Sequence, residues 1–166
     1  MNRKNKALLF CLDESRSFTE DIKKRFSDTS KYRVLSFSSR QDFLSGLAAE
    51  KAGGCCKVAV IVINEIKEDG YSIERFTREV HKISADMGMI LVFSPEKDEE
   101  IRKAVKFNID AYIPKNSNSI LRLHNVVKKL ISKHNLEIYH KRRNLSLWVL
   151  LVFVLISAII ILVTFL

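Results

Sequence analysis

The C-terminal stretch 145–166, LSLWVLLVFVLISAIIILVTFL, limits what this chain can fold into more than any other part of the sequence. It contains no charged residue, no Pro and no Gly. A helix of about 22 residues is roughly 33 Å long, which is enough to cross a hydrocarbon core of about 30 Å. Buried helices of soluble proteins are usually shorter and have one polar side, which this stretch lacks. We therefore predict a transmembrane helix at 145–166 that anchors the protein by its tail.

Basic residues precede the apolar stretch and indicate its orientation. Lys141, Arg142 and Arg143 stand just before it, and Trp148 lies where an aromatic ring favours the headgroup level. By the positive-inside rule, the residues before the span stay in the cytoplasm. The sequence therefore predicts a single-pass membrane protein with a cytoplasmic N-terminal domain at 1–133 and a basic juxtamembrane segment at 134–144. Which membrane is used is left open.

The net charge and the cysteine and histidine content bound the chemistry. The formal net charge of +9 arises entirely before residue 145, and a basic domain can indicate nucleic-acid binding. Contact with an anionic membrane surface is the favoured explanation, because six basic residues and the single acid Glu137 lie between 128 and 143. The three cysteines form no Cys-x-x-Cys motif, and the four histidines lack ligand spacing. We therefore predict no metal site, no cofactor and no disulfide.

Five stretches of strand length alternate with amphipathic segments before the juxtamembrane region; they are short apolar runs except for the second, which is rich in β-forming residues. The predicted strands are 7–12, 32–37, 58–63, 89–93 and 111–114. The run 58–63, VAVIVI, is apolar throughout, as expected for a strand buried on both faces of a parallel sheet. Strict alternation of strands and helices, with right-handed crossovers, predicts an α/β fold with a doubly wound, five-stranded parallel sheet.

Capping residues predict where the helices begin. Ser17 with Glu20 has the spacing of a capping box for the first helix, and Ser39 with Asp42 opens the second. A fourth helix is predicted around 101–107. Ser117 or Asn118 is expected to cap the last helix, which meets no Pro or Gly before the apolar tail.

Polar residues follow the predicted strands at the carboxyl edge, where sheets of this type carry their functional crevice. Asp13-Glu14 follows strand one, Asp69-Gly70 follows strand three, Tyr112 lies in strand five and Lys115 just after it. On these residues, the chain from Lys6 to about Lys133 resembles the receiver domain of bacterial response regulators. The resemblance implies the strand order 2-1-3-4-5.

The catalytic pattern of that family is broken in this chain. Counting back from Gly70, the position of the phosphoacceptor Asp falls on Val62, and a shorter loop would place Asn64 there. Phe93 stands where the family has Thr or Ser, with Ser94 one place later. The resulting degenerate acidic pocket consists of Asp13, Glu14, Val62, Asn64, Phe93, Ser94 and Lys115. An isopropyl group neither attacks phosphorus nor binds a hard cation, so Lys115 is expected to form an ion pair with Asp13 or Glu14.

These residues favour a pseudo-receiver: a phosphorylation-independent protein-interaction module without enzymatic activity, tail-anchored to a bacterial membrane. The resemblance implies a partner face that includes Lys103, Lys106 and Arg122, with Tyr112 as a switch-like aromatic residue. The identity of the protein partner and the oligomeric state are left open.

Two alternative functions remain at this stage. One is a phosphorylatable receiver that uses a non-standard acid, Glu65, which would have to reach Asp13 and Lys115. The other is a basic module that tethers nucleic acid to the membrane, which would need a continuous basic stripe away from the bilayer.

Overall fold

A computed structural model describes residues 6–50, 55–63, 70–97, 101 and 109–165. Within these ranges, side chains are described except at 70–72, 97, 141–142, 144–147 and 154–165. The chain divides into two compact units, Met1–Ile131 and Ser132–Leu166.

Parallel strands alternate with helices along the first unit. The strands are β1 Ala7–Leu12, β2 Tyr32–Phe37, β3 Lys57–Ile63, β4 Gly88–Phe93 and β5 Ala111–Pro114. The helices are α1 Ser17–Arg25, α2 Arg40–Ala49, α3 Gly70–Ile83 and α4 Ser119–Phe165, with a short 3-10 turn at Pro95–Lys97. The sheet order is β2-β1-β3-β4-β5, and all four strand pairs are parallel. This order confirms the predicted doubly wound fold.

Side-chain alternation along the buried strands divides the core between the two faces of the sheet. In β1, Leu8 and Phe10 join one buried cluster, whereas Leu9 and Cys11 join the other. Helices α2 and α3 cover the first cluster, and α1 with the start of α4 covers the second. Strands covered on both faces must be apolar at every position, which explains the unbroken apolar runs of β1 and β3.

The helix starts agree only in part with the capping residues predicted from sequence. Ser39 caps α2 as expected, because its hydroxyl accepts a hydrogen bond from the N–H of Asp42 at 3.1 Å. The prediction for α1 was wrong: Ser17 is the first residue of the helix and not its N-cap. Arg16 precedes it in the left-handed region, with φ 59°, and makes no side-chain capping hydrogen bond.

Two predicted helices are only partly described. Of the helix predicted around 101–107, only Ile101 lies within the described residues, where it is helical and buried. Helix α4 includes the juxtamembrane segment and the apolar tail, although few side chains of the tail are described. Searched over the described part of the chain, no helix has a segment long and apolar enough to cross a membrane.

Candidate functional site

The strand register brings the C-terminal ends of β1, β3, β4 and β5 together at the carboxyl edge of the sheet. Ile63 of β3 pairs with Phe93 of β4, and Phe93 pairs with Pro114 of β5. The N–H of Lys115 donates to the carbonyl of Phe93 at 2.6 Å. The described residues that follow β1, β4 and β5 therefore lie at the edge where sequence placed the degenerate pocket.

Asp13 is the central polar residue of this edge, and its side chain is fully buried. Its Oδ2 accepts hydrogen bonds from the N–H groups of Phe18 and Thr19, at 3.0 and 3.1 Å, and from the Thr19 hydroxyl at 3.2 Å. Its Oδ1 accepts from the N–H and hydroxyl of Ser15, at 3.2 and 2.9 Å. The carboxylate thus satisfies two N–H groups in the first turn of α1, a position that also favours negative charge.

This arrangement replaces the capping box predicted at Ser17. A carboxylate from the end of β1 caps α1 across four intervening residues, so the chain must turn sharply before the helix. Arg16 supplies that turn through its left-handed backbone, and its N–H donates to the carbonyl of Asp13 at 3.3 Å. Glu14, the second acid of the pair, is exposed. The two neighbouring acids therefore have different environments, one as a buried cap and one in solvent.

The receiver resemblance assigns Val62 and Phe93 to positions of a phosphorylation site, and both side chains are buried and apolar. Val62 belongs to the cluster that contains Cys11 and Phe18, whereas Phe93 belongs to the cluster on the other face of the sheet. Phe93 is completely buried, and Ser94 after it is half-buried. The side chains of Val62 and Phe93 therefore pack in the core on opposite sides of the sheet.

Lys115 is half-buried and directs its ammonium group toward the start of α1. Its Nζ lies 5.6 Å from the centroid of the Phe18 ring, within the range of a cation–π contact. Desolvation lowers the pKa of Lys115, and attraction to the Asp13 carboxylate partly offsets this effect. Lys115 therefore lies in the electrostatic field of Asp13 and contacts the ring of the first apolar residue of α1, and the predicted ion pair stays a prediction.

The other predicted site residues that the structure describes lie on β5 and α4. Tyr112 is half-buried and packs against the cluster covered by α2 and α3. Arg122, Arg143 and Trp148 are exposed on α4. Those outside the described residues or side chains are Asn64, Glu65, Lys103, Lys106, Lys141 and Arg142. Among the described residues, no group of three or more His, Cys, Asp or Glu could hold a metal ion.

Sequence reasoning missed the hydrogen-bonding partners of Asp13. Ser15 and Thr19 were not singled out, although both donate hydroxyl hydrogen bonds to the carboxylate. The sequence does contain a signal for the first, because an Asp followed two residues later by Ser is typical of a local side-chain turn. The contact with Thr19 requires the left-handed turn at Arg16, which local propensity does not predict.

Comparisons with known proteins identify the fold of this chain but show no closer relationship. No protein-family model matches this chain, and no curated protein matches it. A response regulator receiver domain protein from Clostridium thermocellum is similar in structure, with 20% identity, a TM-score of 0.62, and coverage of 78% of this chain and 98% of that chain. A receiver domain protein (CheY-like) from Methanospirillum hungatei JF-1 has 19% identity and a TM-score of 0.59, with coverage of 80% of this chain and 98% of that chain. The receiver domain of an HD domain-containing protein from Pseudomonas fluorescens Pf-5 has 14% identity and a TM-score of 0.61, with coverage of 78% of this chain and 98% of that chain. These likenesses confirm the receiver-like fold that the sequence predicted.

Proposed function

We propose that this chain is a membrane-tethered pseudo-receiver that recruits or positions a protein partner without phosphorylation and without enzymatic activity. The observation that carries the proposal is the environment of Asp13. Its carboxylate accepts hydrogen bonds from Ser15, Phe18 and Thr19, so both oxygens stabilise the loop and α1. Binding a cation through these oxygens would compete with contacts that hold the helix in place.

The apolar neighbours support the same conclusion. Receiver phosphorylation needs a carboxylate nucleophile and a cation held by hard oxygen ligands. Val62, at the nucleophile position, offers neither, and it is packed among apolar side chains. Phe93 replaces the hydroxyl that would respond to a phosphoryl group, and it is completely buried. A signalling role for this domain therefore rests on its surfaces.

The proposed membrane tether rests on the apolar tail. Six consecutive side chains of α4, from Trp148 to Phe153, are apolar and between 48 and 70% exposed. Consecutive helical residues are about 100° apart, so these six side chains surround the helix axis. A helix that exposes apolar groups in every direction is poorly suited to water and well suited to lipid. The tether would keep the receiver-like domain at the cytoplasmic surface, in the orientation that Lys141, Arg142 and Arg143 favour.

The proposed partner face extends from the start of α4 toward β5. Arg122 is exposed there, and the neighbouring Leu121 is 51% exposed although it is apolar. An exposed Leu beside a cation is a suitable contact for a protein partner that combines apolar and acidic groups. Lys103 and Lys106 join this face by the receiver resemblance, and both lie outside the described residues.

A phosphodonor experiment on the full-length protein tests the proposal. The protein in detergent micelles is incubated with Mg²⁺ and acetyl phosphate, or with beryllium fluoride, and then analysed by intact mass and by amide chemical shifts. We expect an unchanged mass and an unchanged spectrum. A stoichiometric acyl phosphate, at Glu65 or any other acid, would contradict the proposal and favour a phosphorylatable receiver. An authentic receiver domain treated in parallel is the positive control.

A further inference from the structure

Strand β2 lies at an edge of the described sheet, and its parallel pairing with β1 determines which backbone groups point outward. The N–H of Ala7 donates to the carbonyl of Lys31 at 2.8 Å, and the N–H of Asp13 donates to the carbonyl of Phe37 at 3.1 Å. Because alternate residues bond to the same neighbour in a parallel ladder, the odd-numbered positions of β2 face β1. The N–H and C=O groups of Val34 and Ser36 therefore point away from the sheet, and they make no hydrogen bond within the described ranges.

Two cavities open along this edge, beside α1. One of about 360 Å³ is lined by Ser36 and Ser38 of the β2 end and by Arg16 of the loop before α1. The other, of about 330 Å³, is lined by Tyr32 and Val34. Lys23 of α1 lines both cavities, which makes them neighbours along one trough.

Cations outnumber acids in the lining of this trough. Lys6, Arg16 and Lys23 line the two cavities. Arg33 also lines one of them, but its guanidinium group is directed to the end of α2, on the opposite face of the sheet. Two acids line them, Glu20 and Asp42. Glu20 pairs with Lys23 at 3.0 Å, and Asp42 accepts a hydrogen bond from the Ser39 hydroxyl at 2.7 Å. Outside the lining, Glu50 pairs with Arg33 at 3.2 Å. With Lys23 paired to Glu20, the charges of Lys6 and Arg16 still outnumber that of Asp42, so the trough is net positive beside strand backbone that has no hydrogen-bond partner among the described residues.

We propose that the β2 edge binds an extended, acidic segment of a partner protein as an additional strand. The backbone groups of Val34 and Ser36 would pair with that segment, as in other cases of strand addition. Side chains two residues apart on an extended segment point to the same side, so alternate acidic residues would all face the cations beside α1. Tyr32 of one cavity and Ser36 of the other are four strand residues apart, roughly 13 Å, which matches acidic side chains at positions i and i+4.

Charge and backbone chemistry distinguish this partner from the other candidates. A second copy of this chain would bring its own Arg16 and Lys23 beside the same cationic trough, which is unfavourable. A nucleic acid has suitable charge but no alternating N–H and C=O groups with which to extend a sheet. The β2 edge is also opposite to β5 in the strand order, so this surface is independent of the partner face proposed above.

Variants at Ser36 test the proposal without disturbing the β1–β2 ladder. Ser36 is exposed, and its N–H points outward, so Pro at this position removes an outward donor and keeps the bonds to β1. Ser36→Ala removes the same hydroxyl but retains the N–H, which makes it the matched control. The probe is the peptide acetyl-EVEVEVEV-amide, whose carboxylates lie on one side when it is extended. Binding to the full-length protein in detergent micelles is measured by isothermal titration calorimetry.

We expect the wild-type protein and Ser36→Ala to bind this peptide within twofold of each other, and Ser36→Pro to bind at least tenfold more weakly. Amide resonances of Val34 and Ser36 should shift on binding. A peptide N-methylated at alternate residues, which cannot pair with the edge, should not bind even though the protein is unaltered. The peptide acetyl-KVKVKVKV-amide should not bind either.

Several results would overturn the proposal. These are absence of binding to the acidic peptide at millimolar concentration, equal binding by Ser36→Pro, and equal binding of the N-methylated peptide. Self-association that Ser36→Pro abolishes would assign the edge to a second copy of this chain. Binding of single-stranded DNA that is unaffected by Ser36→Pro, without peptide binding, would assign the trough to a polyanion.

Discussion

Asp13 Oδ2 accepts a hydrogen bond from the backbone N–H of Thr19 at 3.1 Å, which joins the end of β1 to the first turn of α1. The donor is six residues away along the chain, and the bond is buried. The same oxygen accepts from Phe18 and from the Thr19 hydroxyl. An acid that the receiver resemblance assigns to a phosphorylation pocket therefore has a structural task in this protein.

Replacing Asp13 should destabilise the fold. Asp13→Ala would leave the N–H groups of Phe18 and Thr19 without their carboxylate partner, at a cost of about 2–3 kcal/mol in the free energy of unfolding. Chemical denaturation measures this change. Glu14→Ala is the matched control, because Glu14 is exposed, and it should change stability by less than about 0.5 kcal/mol. Equal effects of the two substitutions would argue against the capping role.

Introducing the missing carboxylate should not restore a working site. Val62→Asp would bury a charge in an apolar cluster that includes Cys11 and Phe18, so we expect a loss of about 2–4 kcal/mol in stability. The variant should bind Mg²⁺ weakly, since Asp13 and Glu14 are on the same edge, but beryllium fluoride should not change its conformation. Val62→Asn introduces a side chain similar in shape to Asp but uncharged. Comparing the two variants separates the effect of volume on stability from the effect of charge. A full switch in Val62→Asp would show that Phe93 does not block the response.

The three cysteines should differ in reactivity. Burial raises the pKa of the Cys11 thiol to about 12, and the Asp13 carboxylate adds to the increase. At pH 8 almost none of the Cys11 thiol is ionised, whereas Cys55 and Cys56 are only partly buried. A short pulse of iodoacetamide followed by peptide mass spectrometry should label Cys55 and Cys56 before Cys11. All three should react at similar rates in urea, and rapid labelling of Cys11 in the native protein would contradict its burial.

His124 should make stability decrease as the pH falls. Desolvation lowers its pKa, and the neighbouring charges of Arg25 and Lys128 lower it further. The folded protein then binds fewer protons at this site than the unfolded chain, so this contribution is fully present above about pH 6.5 and decreases on acidification. An NMR titration of the His124 ring should give a pKa below 6.5. Arg25 Nη2 lies 3.4 Å from His124 Nδ1, so Arg25→Gln should raise that pKa, and an unchanged value would exclude the electrostatic cause.

Removing the apolar tail should release the protein from the membrane. A chain that ends at Asn144 lacks the stretch 145–166 but retains the whole of the first compact unit, Met1–Ile131. We expect the full-length protein to resist carbonate extraction and the truncated protein to be recovered in the soluble fraction with native circular dichroism. Replacing Lys141, Arg142 and Arg143 with Ala should leave insertion intact and make the orientation mixed in a protease-protection assay. A truncated protein that unfolds or stays in the membrane fraction would contradict the proposed tether.

The strands and their order could be predicted because they follow from local pattern. The bounds predicted for β1, β2 and β5 agree with the structure, and those of β3 and β4 differ by one residue at the start. Exposing apolar runs of this length to water would be costly in free energy, so they favour burial on both faces of a sheet. Strict alternation with helices then leaves few topologies.

The role of Asp13 was decided only by tertiary structure. From sequence, Asp13 and Glu14 formed an acidic pair, and Ser17 had the spacing of a helix cap. Folding buries Asp13, exposes Glu14 and makes Ser17 the first residue of the helix. The difference arises because the left-handed turn at Arg16 directs the N-terminus of α1 at the end of β1. Such a contact depends on how a helix docks on a sheet, which apolar periodicity does not specify.

Sequence determined which segments of this protein must be buried, because the transfer of apolar groups from water depends on their composition and spacing and is largely independent of their partners. Tertiary structure decided which polar groups meet. Lys115 lies near the Phe18 ring, and the backbone of Ser36 faces outward, because the strand register places them there. Hydrogen bonds and ion contacts need exact distances between groups far apart in the chain, and only the assembled sheet and helices set those distances.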